Sequence, residues 1–319
     1  MRVRAKLWTS GPAIAAGAAL SCLTLAGPAY GCDVSTETLG VSRIVNIDAS
    51  GGPIYGKITR YAREPGFLKR KEIVLTFDDG PAPRITRSIL KTLKQFCAKA
   101  TFFPVGRMAI AYPQVIREII KDGHTVGAHT WSHPKNLRRL KQKSSTYQVE
   151  KGFAAIAMAA GTPIAPFFRF PGLNDDGAVL KHLQKRGVAT FSVDVVTNDS
   201  YTSDAKQLVE QTLRSVTSSK RGILLFHDIK MSTALALPSI LLQLKKRGYR
   251  LVHLTSKHTF TPTSSYDAVL KERFARATKG KPLPEVQLRA PLHPVGAFAI
   301  VQPPVTELRP VAKVIERTA

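Results

Sequence analysis

Two adjacent carboxylates, Asp78 and Asp79, stand in the stretch Thr76-Phe77-Asp78-Asp79-Gly80-Pro81, directly after the apolar run Ile73-Val74-Leu75. Side by side at a strand end they repel unless a cation or a proton neutralises one of them. The C-terminal ends of parallel strands are also where α/β folds build their sites. Asp-Gly-Pro is equally a good turn sequence, so the pair alone leaves a plain turn open. A second group, His129-Thr130-Trp131-Ser132-His133, follows another strand-like segment. If it makes one helical turn, ended by Pro134, the two imidazoles lie about 40° apart around the axis and both reach one ion. One carboxylate and two imidazoles leave positions for water and substrate, the pattern of a catalytic metal site rather than a closed structural one. A bound divalent ion activates water and polarises a carbonyl, so hydrolysis is the leading chemistry.

Two further groups fit that scheme. His227, in Leu224-Leu225-Phe226-His227-Asp228, stands just beyond another apolar run and can protonate a leaving group. Arg169, in Arg169-Phe170-Pro171-Gly172, can hold a carboxylate through its guanidinium fork. A buried structural histidine and an ordinary surface ion pair are the plain alternatives. His124, His182, His253, His258 and His293 match no motif and read as structural or solvated.

Positioning these groups requires strands that end where they begin. Seven strand-like runs are legible, at 72–77, 100–105, 125–128, 167–170, 188–193, 222–226 and 249–253. Most are separated by segments with helical apolar spacing, at 85–96, 113–121, 145–160, 176–186, 204–218 and 235–247. Strands alternating with helices imply an α/β fold with a parallel sheet, closed as a barrel or open and doubly wound. Spacing alone does not choose between the two.

The chain of 319 residues holds 47 Lys and Arg against 22 Asp and Glu, a net charge of +25. Its 44% hydrophobic content excludes disorder throughout and a collagen-like chain. Residues 1–31 read as a signal peptide, with Arg2, Arg4 and Lys6 before an uncharged Ala-, Leu- and Gly-rich core and small residues at Ala29 and Gly31. The core is too short and interrupted for a stable transmembrane anchor. Cleavage near Gly31 would make the protein periplasmic or secreted and leave Cys32 and Cys97, which can pair as a disulfide or stay free, with a lipid-modified Cys32 as a competing reading. Residues 32–66 read as an N-terminal extension lying on a catalytic domain at 67–258. Residues 259–319, with eight of the 21 prolines, read as a basic Pro-rich tail, flexible or hugging the surface. The basic charge favours an acidic cell-envelope polymer over nucleic acid, since no zinc-finger spacing, P-loop or aromatic-basic RNA motif is present.

In order and spacing, Thr76 to Pro81, His129 to His133, Arg169 to Gly172 and Leu225-Phe226-His227 resemble the motifs of polysaccharide deacetylases, the NodB-homology proteins of carbohydrate esterase family four. The resemblance covers about 67–254. It implies a deformed (β/α) barrel of about seven strands and metal-dependent removal of acetyl groups from a glycan. Asp78 resembles the catalytic base, and Asp79, His129 and His133 the ligands of one divalent ion, Zn²⁺ being the expected metal. His227 resembles the general acid, Arg169 the residue orienting Asp78, and the backbone near Gly172 a contributor to the oxyanion hole. In Asp194-Val195-Val196-Thr197-Asn198-Asp199-Ser200 one of Asp194 or Asp199 is expected to keep His227 protonated, and the residues leave open which. Ser200 stands where the family commonly has Trp, which changes that wall of the site. The implied substrate contains N-acetylglucosamine, as in peptidoglycan, chitin-like or poly-glucosamine glycans. O-acetylated glycans and a non-catalytic glycan-binding role are the alternatives.

Overall fold

The computed structural model describes residues 38–279. The expected signal peptide, Cys32 and the greater part of the Pro-rich tail lie outside the described residues. Ten strands and eight α-helices follow one another along the described chain. The strands are β1 (Val41–Ile47), β2 (Ile54–Tyr55), β3 (Glu72–Asp78), β4 (Thr101–Phe103), β5 (Thr125–Val126), β6 (Phe167–Phe168), β7 (Ala189–Phe191), β8 (Val195–Val196), β9 (Gly222–His227) and β10 (Arg250–Ser256). The helices are α1 (Pro83–Gln95), α2 (Gly106–Ala111), α3 (Pro113–Lys121), α4 (Gln142–Ala160), α5 (Gly177–Lys185), α6 (Ala205–Ser219), α7 (Met231–Lys246) and α8 (Asp267–Thr278).

Local chemistry accounts for the helix ends. Proline occupies the first turn of α1 and α3, where its missing N–H costs nothing. Asp176 and Asp204 cap α5 and α6 by accepting the N–H of Val179 at 2.9 Å and of Gln207 at 2.6 Å. Gly161 ends α4 in the left-handed conformation that a side chain disfavours.

Every strand pairing is parallel. β3 is the hub: β9 runs beside it from Ile73↔Gly222 to Asp78↔His227, and β4 flanks its other edge from Thr76↔Thr101 to Asp78↔Phe103. β10 meets only the start of β3, and β1 flanks β10. From β4 the pairing passes to β5, through an Ala128↔Phe168 bridge to β6, and on to β7. The chain then runs from β7 into β8, which pairs with β9 beside β3, so on this side the ring is completed by the chain itself, with no pairing of β7 to β8 among the described residues. The result is a distorted barrel with helices packed outside, the closed alternative of the two that strand–helix alternation allows.

Two apolar clusters follow the two-residue period of the strands. Val74, Phe103, Phe167, Phe191, Ile223 and Leu225 fill the interior with Val252 and Leu254. Ile73, Leu75, Phe77, Phe102, Phe168, Leu224 and Phe226 belong to the larger cluster that meets the helices. All seven strands expected from the sequence are present. β1, β2 and β8 were not legible, because β1 alternates half-buried and exposed positions as an edge strand does, and the other two are only two residues long.

The stretch expected as an extension at 32–66 needs correction for its described part. β1 and β2 are strands of the sheets, and Leu39, Ile47, Ala49 and Ile54 are buried in the two clusters. The described part of the tail, 259–279, lies against the body: α8 packs Leu270 against Ile110, Trp131, Ala154 and Ala155, burying it fully. Cys97 is disulfide-bonded, and the other half of the expected Cys32–Cys97 pair lies outside the described residues. No helix among the described residues is long and apolar enough to cross a membrane.

Leu39, Ile47, Ala49 and Ile54 together bring about 5–10 kcal/mol of burial, comparable to the whole stability of a domain. A chain begun at Phe67 is therefore expected to show no cooperative unfolding transition in urea, where one begun at Thr38 shows a single transition.

Candidate active site and metal centre

Strand parity brings the reactive side chains to the C-terminal mouth of the barrel. Asp78 lies on the inward face of β3, four residues beyond interior Val74, and register pairs it with both Phe103 and His227. Arg169 is two residues beyond interior Phe167 and points the same way. Its side chain is fully buried. A buried guanidinium must find acceptors for its donors, and this one does. Nη1 donates to Asp78 Oδ1 at 2.8 Å and to Thr76 Oγ1 at 2.6 Å, and Nε donates to the Phe191 carbonyl at 3.0 Å. The Phe103 ring lies 4.4 Å beneath the guanidinium carbon. Burial works to lower the Arg169 pKa, and the Asp78 carboxylate opposes it. Asp78 is thereby fixed by one oxygen, with Oδ2 turned toward His129 Nε2 at 3.9 Å.

Asp79, His129 and His133 converge beside that carboxylate, with three potential ligand atoms within 4.8 Å of one another. His129 Nε2 and His133 Nε2 stand 3.5 and 3.3 Å from Asp79 Oδ1. That oxygen is buried and has no hydrogen-bond partner. Burial pushes the His129 imidazole down to about 4 against the pull of Asp78, so the ring is neutral at pH 7. Its Nδ1 lies 2.7 Å from the Arg169 carbonyl oxygen, an acceptor only, so Nδ1 carries the proton and Nε2 presents a lone pair. A buried carboxylate oxygen without a donor, faced by imidazole nitrogens, fits a divalent cation. A carboxylate with two imidazoles matches the donors of catalytic Zn²⁺ sites.

The geometry that unites the two histidines is not the expected helical turn. Thr130 and His133 both take left-handed backbone conformations, with φ of 69° and 52°, in a loop without regular structure. The Thr130 hydroxyl accepts the His133 N–H at 3.0 Å and closes the loop. Gly152 of α4 admits that loop, since a Cβ there would stand 2.6 Å from the Thr130 carbonyl carbon.

Across the mouth, His227 Nδ1 bonds Asp199 Oδ1 at 2.8 Å, while Asp199 Oδ2 accepts the His227 N–H at 2.6 Å and the Thr233 hydroxyl at 2.7 Å. Burial disfavours the imidazolium, but the Asp199 charge and hydrogen bond, with Asp79 and Asp78 behind, push its pKa up to about 10. Of the two acids left open by the sequence, Asp194 is not in this site. Its Oδ2 accepts the Ile223 N–H at 2.8 Å, at the opposite end of β9 from His227. Gly172 and Leu173 both take left-handed conformations in the 3₁₀ turn Pro171–Leu173, which follows Arg169.

The profile of the polysaccharide deacetylase family matches residues 67–191. The peptidoglycan-N-acetylmuramic acid deacetylase PdaC of Bacillus subtilis is 34% identical over 186 residues, 57% of this chain but only 38% of that protein. A peptidoglycan-N-acetylglucosamine deacetylase of Bacillus cereus is 32% identical over 57% of this chain and 85% of its own length. The chain belongs to the polysaccharide deacetylase family. Among solved structures, the Bdellovibrio bacteriovorus peptidoglycan deacetylase Bd3279 superposes with a TM-score of 0.62 at 31% identity, over 73% of this chain and 63% of that one.

Against the family pattern, Ser200 in the Trp position places a hydroxyl 3.1 Å from His227 Nδ1 and 3.4 Å from Nε2. Sequence reasoning assigned no part to Thr76, Thr233 or Asp228. Thr76 shares the face of Asp78 by strand parity, and that parity was the available signal. Asp228 directly follows His227 in the chain. It is buried, accepting the Gly80 N–H at 3.0 Å and the Thr86 hydroxyl at 2.7 Å, and so ties the end of β9 to the loop carrying Asp79. Burial pushes its pKa up to about 7, with the Thr86 hydrogen bond opposing. Glycine is required at 80 because a Cβ would stand 2.1 Å from Asp228 Oδ2. The unmatched histidines are accounted for locally. His124 Nδ1 lies 3.2 Å from the Ala100 N–H, and His182 pairs with Glu150 at 2.7 Å. His253 is buried and His258 exposed, while His293 lies outside the described residues.

Asp228→Ala leaves the Gly80 N–H without its acceptor, which is expected to lower stability by about 1–3 kcal/mol. Because the same bond fixes the Asp79 loop, Zn²⁺ affinity should fall as well, as read by calorimetry. An Asp228→Asn protein, which keeps one acceptor oxygen, should retain most of both.

Proposed function

We propose that this protein is an exported, metal-dependent hydrolase that removes N-acetyl groups from a glycan containing N-acetylglucosamine, with peptidoglycan the favoured substrate. The observation that carries the reading is the convergence of Asp79, His129 and His133 beside an Arg169-held Asp78, with His227 facing Asp78 from the adjacent strand. Two of the relatives and the solved structure are named as peptidoglycan deacetylases. A cell-wall substrate also accords with the expected signal peptide.

Asp79, His129 and His133 would hold one divalent ion, Zn²⁺ by donor type. Such an ion, when bound, acidifies water and polarises the acetyl carbonyl. The remaining work falls to the chain's own groups. Arg169, itself steadied by Thr76, holds Asp78 so that its Oδ2 accepts the proton of the attacking water. Asp199 occupies His227 Nδ1, so Nε2–H, with the Ser200 hydroxyl 3.4 Å away, is the proton that passes to the departing amine. The amide C–N bond breaks as the tetrahedral carbon expels nitrogen, giving acetate and a free amino sugar. His129 keeps its tautomer through the Arg169 carbonyl, so one residue steadies both the base and a proposed ligand.

The direct test is acetate release by the Zn²⁺-loaded protein from N-acetylglucosamine oligomers and peptidoglycan, compared with the chelator-treated protein. Asp78→Asn should lower kcat by about 10²–10⁴-fold with metal retained, and His129→Ala should lose both metal and turnover. Release from acetylxylan alone would reassign the substrate to O-acetyl groups, and no release from any of the three by folded, metal-loaded protein would remove the enzymatic reading.

The proposed acid predicts its own titration. In metal-free protein the His227 ring resonances should titrate near pH 10. In Asp199→Asn, where only the charges of Asp79 and Asp78 still oppose burial, they should move down toward the ordinary histidine range. By linkage, the raised pKa means that the pair's stabilising contribution is complete below about pH 6.5 and is lost as pH rises through about 10.

A further inference from the structure

The loop carrying His129 and His133 continues past Pro134 into a second feature. Lys135, Arg138, Arg139, Lys141 and Lys143 place five cations within nine residues, all of them exposed. No acidic residue occurs between Asp122 and Glu150. Among the described residues, no carboxylate comes within 4.0 Å of any of the five. Elsewhere arginines find partners, as Arg60 does with Asp175, Arg87 with Glu118 and Arg186 with Glu150. Unpaired cations held close together repel one another, an arrangement that an arriving polyanion relieves.

The backbone beneath these charges is pinned. Leu137 is buried in the main apolar cluster, with Leu140 packed against it. Asn136 Oδ1 accepts the Arg138 N–H at 3.0 Å, and the Ser145 hydroxyl donates to the Leu137 carbonyl at 3.1 Å. The segment also abuts the turn after β6, because a Cβ on Gly172 would stand 4.0 Å from the Lys135 carbonyl oxygen. A fixed cationic ledge thus begins two residues from His133 at the mouth of the barrel.

We propose that residues 135–143 form a docking shelf for a carboxylate-bearing glycan strand, seating the part of the strand next to the sugar in the site. The inference rests on the deacetylase reading and narrows its substrate class, from any acetylated glycan to an anionic one such as peptidoglycan with its peptide stems. Guanidinium forks at 138 and 139 match carboxylates in pairs of hydrogen bonds, and the lysines add charge without fixed geometry.

The test is binding, measured apart from turnover. The full chain is titrated with untreated peptidoglycan sacculi, with the same sacculi after their carboxylates have been capped as amides by carbodiimide and ammonia, and with chitin. Two variants are compared with it: all five shelf residues changed to Gln, and a charge-matched control with Lys91, Lys181, Lys185, Lys206 and Lys246 changed to Gln. Thermal unfolding establishes that each variant is folded. Wild type and control should bind untreated sacculi about tenfold more tightly than amidated ones, a preference that fades with salt. The shelf variant should lose that preference while binding chitin as wild type does. Equal loss in the control would assign the effect to net charge and overturn the shelf. So would an unchanged shelf variant, or a preference that follows phosphate-bearing wall polymers or nucleic acid instead of the carboxylates. If the binding pattern holds but acetate release from every substrate fails, the shelf stands and the deacetylase reading falls; turnover with an unaltered shelf variant gives the reverse.

Discussion

A guanidinium in a place without water is the constraint around which this molecule is arranged. Arg169 is fully buried between strands, and a charge there is tolerable only if nearly every donor is met and a counter-charge is adjacent. Thr76, Asp78 and the Phe191 carbonyl supply those partners from two strands, and the Phe103 ring supplies a third wall. Satisfying the arginine therefore fixes where β3, β4, β6 and the end of β7 lie relative to one another. It also fixes Asp78 in one orientation, and through the Arg169 carbonyl it fixes the proton on His129. A buried ion pair of this kind is weak evidence of net stability, but it is strong specification of geometry.

Much of the site was legible because its residues sit on strands or at their ends. Asp78, Arg169 and His227 each follow an apolar run, and a period of two decides which way they face. The Asp78–Asp79 pair, His129 and His133 stand out by residue type, while the choice of Asp79 over Asp78 as the candidate ligand rests on the family resemblance. How the histidines meet was not legible, since left-handed conformations at Thr130 and His133 depend on close packing against Gly152, which lies 19 residues beyond His133 and on another element. The choice between Asp194 and Asp199 was hidden for a related reason. The two lie five residues apart, on either side of a two-residue strand, and only the pairing of β8 with β9 shows which end of β9 each one meets.

The fold was legible where segments bury a whole face and obscure where they do not. All seven central strands were marked by apolar runs, whereas β1 shows alternating exposure and carries Arg43, whose pairing with Glu72 at 2.6 Å no local pattern announces. The tail was obscured by its prolines. Yet α8 inserts Leu270 beside Trp131, the residue midway between the two candidate metal-binding histidines. The boundaries suggested by composition thus fall inside the packed body, because composition reports propensity and not which surfaces meet.

The register of β3 against β9 has a consequence for how such a molecule can change over time. Asp78 and His227 are direct neighbours across two parallel strands, so the spacing of the backbones from which the two side chains project is set by the repeat of the sheet, about 4.8 Å. That gauge belongs to the peptide backbone and is blind to sequence. Loops around the mouth can lengthen, shorten or exchange residues, as at Ser200, without recalibrating it. The spacing at the mouth and the shape of its walls are therefore written in separate parts of the chain, and the second can vary without disturbing the first.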